Sequence, residues 1–194
     1  MTYALIQQIA DSPGAMAHAA LLTLIVLLLA AAWSDLRRQR IPNALVVCGA
    51  LLALMLHAAL PAGEGFLAVP PGGLGVSGAL AGLLCGLFSL LPLYTIRGMG
   101  AGDVKLLAMV GAFLGPLQFW WALLATLFAA GALAIGVGLY RGVLGRALTN
   151  LLPMLRITWH PAATHSVTTL PMGVAIAAGS ISWVLMRAGF TGLL

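Results

Sequence analysis

Six apolar stretches separated by short polar or Gly/Pro-rich breaks organise this chain. They cover residues 15–33, 44–60, 75–96, 104–114, 117–140 and 170–188. A helix needs roughly 17–25 apolar residues to cross a hydrocarbon core, and all but the fourth stretch meet that length. Pro42 closes the first break, Pro61, Pro70, Pro71, Gly72 and Gly73 fill the second, and Gly115-Pro116 separates the fourth stretch from the fifth. The pattern predicts an all-α polytopic membrane protein: a bundle of six transmembrane helices forming one unit over residues 1–194. The fourth helix is short and rises about 16 Å, about half the hydrocarbon thickness. It is therefore re-entrant or begins below the membrane surface, where irregular backbone survives only if protein buries it or it lines a wet cavity. The longest polar connection, 141–169, carries Leu144, Leu148, Leu151, Leu152 and Leu155 at helical spacing, which suggests an interfacial helix.

Composition sharpens this reading. The chain is 62% hydrophobic and 7% charged, against about 25% charged in soluble domains. With the N-terminus outside, Arg37, Arg38, Arg40, Arg97, Lys105, Arg141, Arg146 and Arg156 all fall on the cytoplasmic side, leaving only Arg187 of the basic residues outside. No basic run interleaved with aromatics occurs, so no nucleic-acid partner is expected; the partner implied so far is the lipid bilayer. Asp11 before the first stretch, with the basic cluster after it, marks an anchor rather than a secretory leader. Cys48 and Cys85 read as small core residues, with no CxxC pair to hold zinc.

The chain has four acidic residues, and in this topology two of them, Asp35 and Asp103, share the cytoplasmic end. Asp35 follows the first stretch, at a helix C-terminus whose dipole disfavours an anion. It is either a loop acid neutralised by Arg37 or Arg38, or a functional group, the default reading of an acid at a membrane. Asp103 follows Gly98, Gly100 and Gly102 at alternate positions. It either N-caps the fourth helix or stands in a hydrated pocket that the glycines let another chain approach. Two carboxylates in one partly dry pocket do not both ionise readily, so they share a proton. One can then accept a proton from water while the other donates to a carbonyl oxygen. That chemistry needs no metal, cofactor or nucleophilic side chain, and the chain carries no HExxH, no Walker loop and no Ser-His-Asp pattern. A proton- or cation-coupled transporter using the same acids is the competing class. Against it, both acids lie near one face and no internal repeat is visible.

The segment GMGAGDVKLLAMVGAFLG, from Gly98 to Gly115, resembles the GxGD signature of the type IV prepilin peptidases. DLRRQRIPN, from Asp35 to Asn43, resembles their first-aspartate motif, and LPMGVAIAAGS, from Leu170 to Ser180, is similar to their C-terminal motif, with Met172 where Tyr is more usual. The three occur in the family order across most of the chain. The resemblance implies a membrane-embedded aspartic endopeptidase of the bacterial inner membrane with Asp35 and Asp103 as the catalytic pair. Gly98, Gly100, Gly102, Lys105, Pro42, Asn43, Pro171 and Gly173 are implied as pocket or motif support. Implied substrates are prepilins and pseudopilins, which carry a short basic leader, a Gly before the scissile bond and then an apolar helix, and are cut at the cytoplasmic face. The chain resembles the short form that serves tight-adherence (Flp-type) pili, without the four-cysteine insertion of larger members, so no methyltransferase activity is expected.

The remaining residues carry ordinary readings. His18 and His57 are scattered, and His160 and His165 read as solvated loop residues rather than metal ligands. Trp120 and Trp121 read as an interfacial aromatic belt, and the methionines as gap-filling core. Gly78, Gly82 and Gly86 read as a close-packing face of the third helix. Pro171 and Gly173 bring the start of the last helix toward the acids, or simply begin it.

Overall fold

The computed structural model describes residues 13–95, 99–140 and 171–190. The expected interfacial helix at 144–155, Gly98, His160 and His165 lie outside the described residues. The described chain is helical throughout apart from its connections: α1 Pro13–Arg38, α2 Asn43–Ala59, α3 Gly75–Ser89, the short α4 Leu91–Thr95, α5 Ala101–Tyr140 and α6 Met172–Phe190. Among the described residues, four helical segments are long and apolar enough to cross a membrane, and Asn43–Ala59 is a shorter apolar helix.

The fourth and fifth expected helices form one element, α5, bent at Gly115. This residue takes φ 75° and ψ 172°, backbone space almost confined to glycine. Pro116 follows, with φ suited to starting a helix and no N–H to give. The two arms run in opposite directions. Trp121 stacks on Trp183 with ring centroids 5.8 Å apart, and further along the second arm the Thr126 backbone abuts Gly179. The second arm thus advances as α6 recedes, while α6 and the first arm both start at the end of the bundle that holds the acids.

The first arm is the axis of the bundle. Val104 and every residue from Leu106 to Gly115 are buried, as befits a helix apolar on all sides and enclosed by others. On α3, Gly82 faces the Gly111 carbonyl, and Gly86 faces the Leu107 carbonyl and Ala108. Two of the three glycines expected to pack closely therefore do so, whereas Gly78 faces Leu74 of its own chain segment. On α2, the buried stripe Val46, Gly49, Ala53 and His57 faces the same arm, with Gly49 against Met109. Cys48 falls off that stripe and is exposed, contrary to the expected core position, while Cys85 is half-buried. The outward faces carry exposed Leu22, Val26, Leu29, Met55 and Phe128, as lipid contact requires.

His57 closes the end of the bundle opposite the acids. The break at Gly115 frees the last carbonyls of the first arm, and His57 Nε2–H donates to the Phe113 oxygen at 3.1 Å. Its Nδ1 accepts the Leu74 N–H at 3.1 Å, and its ring stacks on Phe66 at 3.9 Å. One side chain thus caps a helix and ties the 60–74 connection to it. Substituting His57→Leu leaves a buried carbonyl and a buried N–H unpaired, with an expected loss of about 2–4 kcal/mol, measurable as a lower unfolding midpoint in detergent. An unchanged midpoint would show that water replaces the ring at no cost.

Candidate active site

Asp35 reaches the interior because of helical phase. The buried face of α1 runs Ala17, Leu21, Leu24, Leu28, Ala31 and then Asp35, an uninterrupted 3.6-residue stripe. The first helix does not stop at 33 as expected. It continues to Arg38, so Asp35 lies in its last turn, only 7% exposed. The Arg37 guanidinium lies 4.4 Å from the Trp33 ring centroid. The helix ends at Gln39, which has φ 50° and donates its N–H to the Asp35 carbonyl at 2.8 Å. Ser34 Oγ holds the Arg40 carbonyl at 2.8 Å, which turns the chain toward Ile41, Pro42 and Asn43.

The partner of the Asp35 carboxylate comes from the far end of the chain. The Gly173 N–H donates to Asp35 Oδ2 at 2.8 Å, in the first turn of α6, where backbone N–H groups are unpaired and the helix dipole favours an anion. A Cβ at Gly173 would stand 2.9 Å from Oδ2 and 3.1 Å from Cγ, so the close approach depends on glycine. Pro171 accepts the Val174 N–H at 3.1 Å, forming the turn that aims Gly173 at Asp35.

Asp103 sits in the first turn of α5, half-buried. The Gly100 carbonyl accepts both the Asp103 and the Val104 N–H groups, at 3.2 and 3.4 Å. A side chain at Gly100 would come 3.1 Å from Asp103 Oδ2, so glycine there leaves the carboxylate uncovered. Gly102 packs beneath Ile41, whose Cβ would be 3.4 Å from an added methyl. Lys105 does not simply reach to solvent: its Nζ donates to Asn43 Oδ1 at 3.2 Å. Pro42 is the N-cap of α2, and Asn43 is that helix's first residue. These contacts tie the start of α5 to the segment just after Asp35. Asp35 and Asp103 therefore share this end of the bundle.

Asp35, Pro42, Asn43, Gly100, Gly102, Asp103, Lys105, Pro171 and Gly173 therefore converge on one end of the bundle, contributed by α1, α2, α5, α6 and the turns that lead into them. The missing signal at sequence level was the role of Gly173: a Pro-x-Gly helix start gives no hint of which side chain its N–H will meet 138 positions away. Among the described residues no group of three or more His, Cys, Asp or Glu could hold a metal ion.

The described residues form a multi-pass helical protein with Asp35 and Asp103 at one end of the bundle. The chain belongs to the type IV leader peptidase family, which it matches over residues 22–139. That span includes Asp35 and the whole Gly100–Gly115 segment, and stops before Gly173. Membership makes this a protease of the prepilin-processing kind in a membrane setting and lends no support to transport. No curated protein and no solved structure matches the chain.

Proposed function

We propose that this chain is an aspartic endopeptidase that removes the basic leader from prepilin-type precursors at the cytoplasmic face of the bacterial inner membrane. Asp35 and Asp103 act as its water-activating pair. The observation that carries this reading is the placement of two acids from separate helices at one end of the bundle, one of them seated on a backbone N–H. One carboxylate takes a proton from water as the water oxygen bonds to the scissile carbonyl carbon. The other gives its proton to the carbonyl oxygen. Collapse of the tetrahedral intermediate breaks the C–N bond, and the departing amine takes up a proton from the pair.

The two arms of α5 count as separate passes, giving six in one unit spanning the chain, with the N-terminus outside. In this arrangement the substrate's apolar helix lies along the bundle in the lipid, and the glycine before its scissile bond lets an extended strand enter beside Gly100. Gly100 and Gly102 give the approach its clearance. Lys105, Asn43 and Pro42 hold the Asp103 turn against the Asp35 segment, and Pro171 and Gly173 orient Asp35.

The test is cleavage by the purified chain in detergent, mixed with a candidate prepilin. The expected result is loss of a few kilodaltons from the pilin and a new N-terminus directly after the glycine. An intact pilin, alongside proton or cation flux in vesicles, would sink the reading. Gly173→Ala tests the positioning role separately. It displaces the Asp35 carboxylate by a fraction of an ångström to an ångström, so kcat is expected to fall roughly 10- to 100-fold with KM little changed. An unaltered kcat would remove Gly173 from the machinery.

A further inference from the structure

At the end of the bundle opposite the acids, about 18 Å along the first arm of α5 from Asp103, lies a pocket of about 530 Å³. Its size is that of a small-molecule site, and the peptidase chemistry makes no use of it. Its walls come from the connection after α2, the Gly115 bend and the end of α6. Three polar side chains line it, each of a different kind: the acid Glu64, the amide Gln118 and the base Arg187.

Three observations narrow the ligand. First, the pocket presents opposite charges, which suits a zwitterion better than a simple anion or cation. Second, Gln118, which lines the pocket, has a buried Oε1 that meets no donor among the described residues. Such groups are rare in folded proteins and point to a partner the chain does not itself supply. Gln118 lines the pocket, so its amide oxygen is the acceptor a donor bound there can meet. Third, the surroundings are those of a membrane interface. Trp120 and Trp121 are half exposed beside the bend, and the rim residues Val69 and Leu117 are 70% and 81% exposed, apolar surface that acyl chains can cover.

We propose that this pocket binds the headgroup of a zwitterionic phospholipid bearing a primary ammonium, a phosphoethanolamine lipid. The ammonium donates to Glu64 and to Gln118 Oε1, the phosphate lies toward Arg187, and the acyl chains run down over Leu117 and Val69. A trimethylated phosphocholine headgroup carries the same charges but no N–H, so it cannot serve Gln118.

The experiment uses the purified full chain in detergent, offered equal amounts of phosphoethanolamine, phosphocholine and phosphoglycerol lipids with identical acyl chains. Retained lipid is counted by native mass spectrometry. The expected result is preferential retention of the phosphoethanolamine lipid, about tenfold over phosphocholine, the factor that one hydrogen bond to a charged donor supplies. Gln118→Leu removes that preference without unfolding the protein, and Glu64→Gln weakens it. Soluble glycerophosphoethanolamine at the same concentration leaves the lipid in place. Equal retention of all three headgroups, a preference for phosphoglycerol, or an undiminished preference in Gln118→Leu would overturn the proposal. Displacement by the soluble headgroup would overturn the assignment to a lipid. None of these readouts depends on peptidase activity, so they stand or fall apart from the catalytic reading.

Discussion

Asp35→Asn and Asp103→Asn are each expected to reduce prepilin cleavage by roughly 10³-fold or more, since each removes one half of an acid–base pair. The carboxamide keeps the size and shape of the carboxylate, so packing at the end of α1 and at the start of α5 is preserved. At position 35 the amide oxygen still accepts the Gly173 N–H, which now bonds Oδ2 at 2.8 Å. What is lost is the ability to take or release a proton at that atom. Both variants therefore insert and unfold like the wild type while failing to cut. The measurement is a gel or mass-spectrometric time course of leader removal, with a thermal unfolding curve as the control for folding. Cleavage within a few-fold of wild type by either variant would exclude that residue from the chemistry.

The second large effect is on stability. Replacing Gly82 or Gly111 by Leu is expected to destabilise the bundle by about 3 kcal/mol, the upper part of the range for overpacking a close contact. The two residues face each other across the α3–α5 seam. A Cβ at Gly82 would run into the Gly111 carbonyl and stand 2.8 Å from the Gly115 Cα, and one at Gly111 would run into the Gly82 carbonyl. These neighbours are backbone, which cannot rotate away as a side chain does, so α3 must move off the axial arm. Small residues at such seams are what allows helices to pack where lipid supplies no hydrophobic drive. Gly131→Leu and Gly136→Leu provide the contrast. Neither glycine has anything within 4 Å of an added Cβ, and both variants are expected to match the wild-type unfolding midpoint. A similar loss at all four positions would mean that the effect lies in helix propensity rather than in the seam.

These two predictions rest on features of different legibility. The acids stand out in the sequence because the apolar background is so uniform. The inward direction of Asp35 was not read, because the first helix was expected to stop at 33; its extension to Arg38 puts Asp35 on the Leu21, Leu24, Leu28 and Ala31 stripe. The glycines at 98, 100 and 102 point in the sequence to a turn that another chain can approach. The seam was half legible: the four-residue glycine spacing on α3 predicted a close-packing face, but not that Gly111 would be its partner or that Gly78 would drop out of it. Cys48 was misplaced because an apolar helix with a weak inside–outside contrast gives little sign of which face lipid covers. The joining of the fourth and fifth stretches into one bent element follows from Gly115, where the break consumes a single residue.

Hydropathy and charge determined by themselves that this chain is helical, embedded in lipid, and carries two acids toward one end, because burying apolar helices and excluding charge from hydrocarbon are properties of composition and local order. Only the tertiary structure decided what each acid touches. The Gly173 N–H on Asp35, the Asn43–Lys105 bond beside Asp103 and the His57 cap on the axial arm each join residues 56 to 138 positions apart. Such partners are selected by how helices pack, and packing depends on side-chain shape at every seam at once, which no single segment of sequence contains.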